Sequence, residues 1–174
     1  MKRTLDLFLV LLFAFVFAIP MLILSITQKC FLGSPILFHQ RRIGHHGCQF
    51  YIHKFRTMIV NAEIDGPQWS IKNDPRITRF GGFLRKYRLD ELPQLISVIK
   101  GEMSLIGPRP ERPEIEKDLI KKIPYYECRN SVRPGISGWA QVNYPYGASI
   151  SDTVNKLSFD IYYISNFSLL LDLL

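Results

Sequence analysis

Polar and apolar positions divide the 174-residue chain sharply. From Leu7 to Gln28, 22 residues carry no charge and are mostly Leu, Phe, Ile, Val and Ala. At about 1.5 Å per helical residue that run makes about 33 Å of apolar helix, enough to cross a hydrocarbon core. Pro20 lies inside it, and a proline within a helix removes a hydrogen bond and favours a bend. The stretch from Leu7 to Pro20 alone, about 21 Å long, is too short to span. Lys2 and Arg3 precede the run while Lys29, Arg41 and Arg42 follow it, so charge gives no orientation. A membrane span and a helix that bends back to the same face both fit. A cleaved signal peptide fits poorly, because the run is long and no small-x-small site follows.

Beyond residue 30 the pattern breaks into short elements. Ile36-Leu37-Phe38 and Phe50-Tyr51-Ile52 flank Gly44-His45-His46-Gly47, predicting two short strands and a turn. Residues 76–86 predict a basic helix interrupted or ended near Gly81-Gly82. Leu92, Leu95, Ile96 and Ile99 recur at helical spacing and predict one apolar stripe. Gly101 stands where that helix needs a C-terminal cap, and Pro93 suits its first turn, so it begins near Leu89–Asp90. Gly107–Pro110 and Arg133–Gly135 predict a rigid loop and a turn, and Glu114–Lys122 a helix. Asp152–Asn166 predicts an amphipathic helix that Leu169–Leu174 continues. The fold class is therefore α+β and mainly helical. An apolar membrane segment (residues 1–29) precedes one small globular domain (residues 30–174) with a short β-hairpin and amphipathic helices.

Charge changes this picture. With 22 Lys and Arg against 15 Asp and Glu, the net charge is +7. It divides as +2 over residues 1–29, +6 over residues 30–100 and −1 over the remainder. The positive field thus sits directly after the apolar run and calls for an anionic partner: nucleic acid, lipid headgroups or a phosphorylated molecule. Three scattered cysteines, Cys30, Cys48 and Cys128, make no disulfide framework and suit a reducing compartment. His45, His46, Cys48 and His53 match no zinc spacing and read as a polar turn.

The adjacent carboxylates Asp90 and Glu91 open the clearest helix. Successive helical residues diverge by about 100°, so the two cannot share a proton as a facing dyad would. Routine N-terminal capping accounts for such a pair. Their surroundings favour chemistry: Arg76, Arg79, Arg85, Lys86 and Arg88 crowd the approach, and Arg109 and Arg112 lie on the next loop. A helix N-terminus ringed by arginine is a phosphate site in physical terms, although a basic face against anionic lipid fits equally. No phosphate-binding P-loop, dinucleotide Gly-x-Gly-x-x-Gly or Gly-x-Ser-x-Gly elbow is present. No nucleic-acid reading motif is visible either, so no nucleic-acid partner is expected.

Six segments in order resemble the bacterial sugar transferase family, the monotopic polyprenyl-phosphate phosphoglycosyl transferases. They are Lys54-Phe55-Arg56-Thr57-Met58, Asn73-Asp74-Pro75-Arg76-Ile77-Thr78-Arg79-Phe80-Gly81, and Leu89-Asp90-Glu91-Leu92-Pro93-Gln94-Leu95. Lys100–Leu105 with Gly107–Pro110, Val132–Val142 and Asp160-Ile161-Tyr162-Tyr163 complete the series. Ser137 stands where the family usually has Thr, Arg88 where Ser or Thr is common, and Ile19-Pro20 where some small members have Ser-Pro.

The resemblance implies transfer of a sugar 1-phosphate from a UDP-sugar to undecaprenyl phosphate, with release of UMP. That reaction starts surface glycans such as exopolysaccharide, capsule or O-antigen. It implies Asp90 as nucleophile in a covalent aspartyl-phosphosugar mechanism, and Asp90 with Glu91 as the site of Mg2+. Lys54, Arg85, Arg109, Arg133 and Asp160 match motif positions and are expected in phosphate, uridine or structural roles. The family's re-entrant helix would settle the question of Pro20 in favour of the bend. It would place the domain on the cytoplasmic face of the bacterial inner membrane, in contact with its lipid. Tyr144, Tyr146, Tyr162, Tyr163 and Phe167 are candidates for an interfacial aromatic band. The stretches Glu111-Arg112-Pro113 and Tyr144–Gly147 look most like the UDP-galactose or UDP-glucose branch. The family normally continues past Leu174 with another amphipathic segment, so a C-terminus shorter than usual is expected. Homo-oligomerisation stays open. The rival readings are a membrane-tethered nucleic-acid binder and a catalytically silent scaffold for glycan assembly.

Overall fold

A computed structural model describes residues 2–64, 66, 71, 73–145, 147 and 149–174. Tyr146, one of the expected aromatic band, lies outside the described residues.

Helix α1 (Lys2–Leu32) is continuous through Pro20, and only Asp6, Val10 and Gln28 within it are buried. Its first turns are tied to the domain by polar contacts. Arg3 donates to the carbonyls of Val98 (2.6 Å) and Ile99 (2.9 Å), and Asp6 accepts from the Ser104 hydroxyl (2.8 Å). Its last turn is tied to the same domain. Gln28 donates to the carbonyls of Ile36 (2.7 Å) and Arg56 (2.9 Å). The Arg56 guanidinium in turn caps the helix end through the carbonyls of Leu32 and Gly33. Between these anchors no residue from 11 to 27 is buried, and Phe15 and Ile19 are 83% and 71% exposed. The helix is long and apolar enough to cross a membrane.

Strands β1 (Leu37–Ile43) and β2 (Gln49–Phe55) pair antiparallel, with Leu37 opposite Phe55 and Ile43 opposite Gln49. Both outrun the apolar tripeptides that predicted them, because alternation carries strand geometry through His39, Arg41 and His53 on one face. On the other face Phe50 and Ile52 join Val10, Leu95, Val98 and Met103 in the first hydrophobic cluster.

Helix α2 (Arg79–Lys86) begins at Thr78, whose hydroxyl accepts from the Gly81 amide at 2.9 Å. Gly81 and Gly82 do not interrupt it, against expectation. Gly81 lies against the Thr57 carbonyl, and a Cβ there would stand 1.9 Å from that oxygen. Its smallness serves packing between helix and loop.

Residues Leu89–Gln94 wind as a 3-10 helix before α3 (Leu95–Lys100), where a single α-helix was expected. Gly101, with φ of +87°, supplies the expected cap. The tighter first turn shifts the phase of the face that follows. Leu95, Ser97 and Val98 are buried, whereas Ile96 and Ile99 of the expected stripe are each 43% exposed.

A short parallel pair went unforeseen: β3 (Ser104–Ile106) beside β4 (Gly135–Ser137). Glycines permit it, since a Cβ on Gly135 would lie 2.1 Å from the Gly107 nitrogen. Helix α4 (Pro113–Lys122) forms as expected, and α5 (Trp139–Asn143) follows β4. A capping box of Ser149 and Asp152 starts α6 (Ile150–Ser165), and a separate α7 (Leu169–Leu173) restarts at Ser168 rather than continuing it. Leu119, Ile123, Tyr126 and Leu157 form a second hydrophobic cluster. The two clusters hold β2, the 3-10 helix and the loops after β3 around one cavity.

Candidate active site

That cavity measures about 810 Å3. Asp90 and Glu91 lie in its wall on the 3-10 helix, each only 7% exposed. Ten basic and five acidic residues line it, so an anion entering meets net positive charge.

Glu91 is held by two cations. Lys54, near the end of β2, donates to its Oε1 at 2.7 Å, and Arg109 Nη2 donates to the same oxygen at 2.5 Å. Arg109 Nη1 stands 3.4 Å from Oε2. Burial works against the Glu91 carboxylate, but Arg109 and Lys54 overcome it and hold the group well below the usual range. The same burial, with Arg109 nearby, lowers Lys54 to about 8 despite its pairing with Glu91.

Asp90 is in a different state. Burial pushes its carboxyl up, Lys54 pulls it down, and neighbouring Glu91 adds to the rise. Arg85 also pulls it down, and the Asp90 backbone amide hydrogen-bonds it; among the described residues no side chain lies within hydrogen-bond or ion-pair distance of it. A buried carboxylate without a side-chain hydrogen bond keeps lone pairs open toward a cation-rich cavity. The two carboxylates thus divide as the diverging helical positions require: Glu91 pairs with Lys54 and Arg109, and Asp90 has no side-chain hydrogen bond.

Of the remaining expected residues, Arg85 lines the cavity, where its Nε donates to Thr57 Oγ1 at 2.8 Å. Asp160 lines it from α6 and pairs with Arg129 at 2.9 Å. Arg133 is not brought to this cavity. It donates to the Gly101 carbonyl at 3.0 Å and borders a separate 260 Å3 hollow beside Lys2 and Arg3. Lys54, Arg85, Arg109 and Asp160 are therefore gathered with Asp90 and Glu91, and Arg133 lies elsewhere.

Arg129 is a residue that sequence reasoning missed. Its Nη2 donates to the Arg109 carbonyl at 2.7 Å, its Nη1 bonds the Tyr126 hydroxyl, and it pairs with Asp160. It fixes the backbone from which Arg109 reaches Glu91. The only sequence signal was the need of a motif aspartate, Asp160, for a buried cation.

No cluster of three or more His, Cys, Asp or Glu converges among the described residues, so no closed metal cage exists there. The carboxylates do fit a cation of the Mg2+ kind, which takes one or two carboxylates and completes its shell with water and substrate phosphate. Oε1 of Glu91 accepts both short contacts, leaving Oε2 with one long contact and a spare lone pair next to Asp90.

Comparison with known proteins finds relatives along nearly the whole chain. A protein of Aeromonas hydrophila named UDP-N-acetylgalactosamine-undecaprenyl-phosphate N-acetylgalactosaminephosphotransferase is 45% identical over 173 residues, covering 99% of this chain and 41% of its own. The UDP-glucose:undecaprenyl-phosphate glucose-1-phosphate transferase of Escherichia coli is 36% identical, covering 99% of this chain and 38% of its own. An exopolysaccharide production protein of Rhizobium leguminosarum is 34% identical, with 99% of this chain and 90% of that one covered. The chain spans about two-fifths of the length of the first two. The model of the bacterial sugar transferase family matches residues 1–174, and the chain belongs to that family.

Proposed function

We propose that this chain transfers a sugar 1-phosphate from a UDP-sugar to undecaprenyl phosphate through a covalent intermediate on Asp90. The observation that carries the reading is Asp90 itself: buried, without a side-chain hydrogen bond, and set in a cation-lined cavity beside a neighbour already bound by Lys54 and Arg109.

Both substrates are anions, and direct attack of one phosphate on another meets repulsion. Two displacements through the enzyme separate them. An Asp90 carboxylate oxygen attacks the phosphorus that bears the sugar. A bond from that phosphorus to oxygen breaks, and UMP departs with the electron pair. A phosphate oxygen of the lipid carrier then attacks the adduct, and the Asp90 carboxylate leaves. Lys54, Arg85 and Arg109 offset the charge that shifts onto phosphate oxygens in each displacement. Glu91 and Asp90 would hold Mg2+, which would supply further charge neutralisation on the diphosphate.

The lipid substrate requires a membrane-seated site. Support for a re-entrant α1 comes from its two anchors: Arg3 and Asp6 at one end, Gln28 at the other, all on one domain, with the exposed apolar middle between them. A helix crossing the bilayer would part its ends by about 30 Å of hydrocarbon. With both ends on one face, the domain rests on the cytoplasmic side of the inner membrane, where it meets UDP-sugars.

The test is a UMP-release assay over a panel of UDP-sugars, with undecaprenyl phosphate in detergent or nanodiscs. One donor should release UMP, and the enzyme mixed with that donor alone should gain the mass of one sugar phosphate on the peptide carrying Asp90. Asp90→Asn, folded by circular dichroism, should give neither. UMP release that persists in Asp90→Asn overturns the nucleophile, and no release from any UDP-sugar overturns the donor class.

A further inference from the structure

The hairpin carries a histidine pair on the strand that supplies Lys54. His39 and His53 are directly opposite in the β1–β2 register. Their Nδ1 atoms stand 2.7 Å apart, with ring planes at 82°. His39 is exposed and His53 half-buried, so solvent reaches the pair. Two Nδ1 atoms at that distance hold one proton between them: one ring donates, and the other offers its lone pair. If each ring carries its proton on Nε2 instead, both lone pairs point into the same gap.

We propose that His39 and His53 form a two-imidazole site for a borderline divalent cation, Zn2+ being the working case. Imidazole nitrogen is a preferred ligand of zinc and its neighbours and a poor one for Mg2+. Zn–N bonds of about 2.0–2.1 Å in tetrahedral geometry put two ligating nitrogens about 3.3 Å apart. The pair therefore opens by about half an ångström, within reach of side-chain rotation. Water fills the remaining positions, because no third His, Cys, Asp or Glu joins the group among the described residues. The bonds are dative and the charge balance is simple: the Nδ1 proton of the donating ring moves to its Nε2, and no net proton is lost from the neutral pair. The site is separate from Asp90 and Glu91, yet His53 directly precedes Lys54, so an ion here braces the strand that positions Lys54.

The test is Zn2+ titration by calorimetry on the full chain in detergent, carrying Cys30→Ser, Cys48→Ser and Cys128→Ser. All three cysteines are exposed, and removing them removes competing thiolates. Excess Mg2+ keeps the carboxylate site from reporting. One Zn2+ should bind per chain. His39→Ala and His53→Ala should each weaken it at least tenfold, about the loss expected on disturbing a metal's ligand set. His45→Ala and His46→Ala should bind as the parent does. Undiminished binding in either His39→Ala or His53→Ala overturns the site, as does a parent without saturable binding. None of these readings depends on transferase activity.

Discussion

Asp90 and Glu91 differ by one residue in sequence and by a full complement of partners in space. Burial alone would raise both carboxyls, and it does raise Asp90. Glu91 goes the other way because Lys54 and Arg109 both reach its Oε1. The same triad sets an alkaline limit. Lys54 is lowered to about 8, chiefly by burial and then by Arg109, so its ammonium is lost as pH rises through that value. The proposed nucleophile sets the acid limit, since Asp90 acts there as a carboxylate and burial raises its pKa above the ordinary 3.8. Activity should therefore be bell-shaped in pH. It should fall on the acid side as Asp90 takes a proton and on the alkaline side near 8 as Lys54 loses one. Lys54→Arg keeps the charge to much higher pH, so its kcat/KM profile should lose the alkaline limb even where its peak is lower. An unchanged alkaline limb in Lys54→Arg would assign that limb to another group.

Elements were legible where one segment specifies them alone. The apolar run of α1, the Pro113–Lys122 helix and the Gly101 cap all emerged from local pattern. What escaped depends on contacts between distant segments. The β3–β4 pair joins residues about thirty apart through glycines, and neither strand has a periodicity to read. The buried face of α3 was misassigned because a 3-10 turn changed its phase, and no residue of Leu89–Gln94 announces that choice. His53 paired with His39 across the hairpin rather than with its sequence neighbours. The site followed the same rule. Asp90, Glu91 and their arginines were visible as a dense motif, while Arg129 acts through the Arg109 backbone and has no motif of its own. Gly81 shows the difference in energetic terms. Its expected role was to break a helix, but it sits at N3 of α2 with the Thr57 carbonyl where a side chain would go. Gly81→Ala should gain helix propensity and still destabilise the protein, by about 1–3 kcal/mol from the forced shift of that backbone. Thermal unfolding measures it. The shift should also move Thr57, the partner of Arg85, and so lower kcat/KM along with stability. By contrast Gly82→Ala, with its nearest neighbour 3.9 Å away, should be tolerated.

At the scale of the molecule, the positive charge and the apolar run are parts of one arrangement. A cation-lined cavity lies on a domain that holds both the first and the last turns of α1. Two topologies for α1 make opposite demands on those contacts. A spanning helix must release one anchor, exposing either Asp6, only 6% exposed here, or Gln28, fully buried here, to the far side. Among the described residues the partners of each lie on the domain: the Ser104 hydroxyl and Leu105 amide for Asp6, and the Ile36 and Arg56 carbonyls for Gln28 Nε2. Losing such hydrogen bonds costs about 1–3 kcal/mol per buried polar group. A helix with both ends on one face keeps both sets, and the hydrogen bond that Pro20 cannot donate is missing in either topology. The consequence is measurable in whole cells. Cys30 is exposed at one end of α1 and Thr4 at the other, so two single-cysteine forms report both ends. One keeps Cys30 alone, and the other carries Thr4→Cys with Cys30→Ser, each with Cys48→Ser and Cys128→Ser. A membrane-impermeant maleimide added to spheroplasts should label neither, and added after permeabilisation it should label both. Labelling of either end in intact spheroplasts would mean that α1 crosses the bilayer, and the two anchors would then have to be formed and broken in turn.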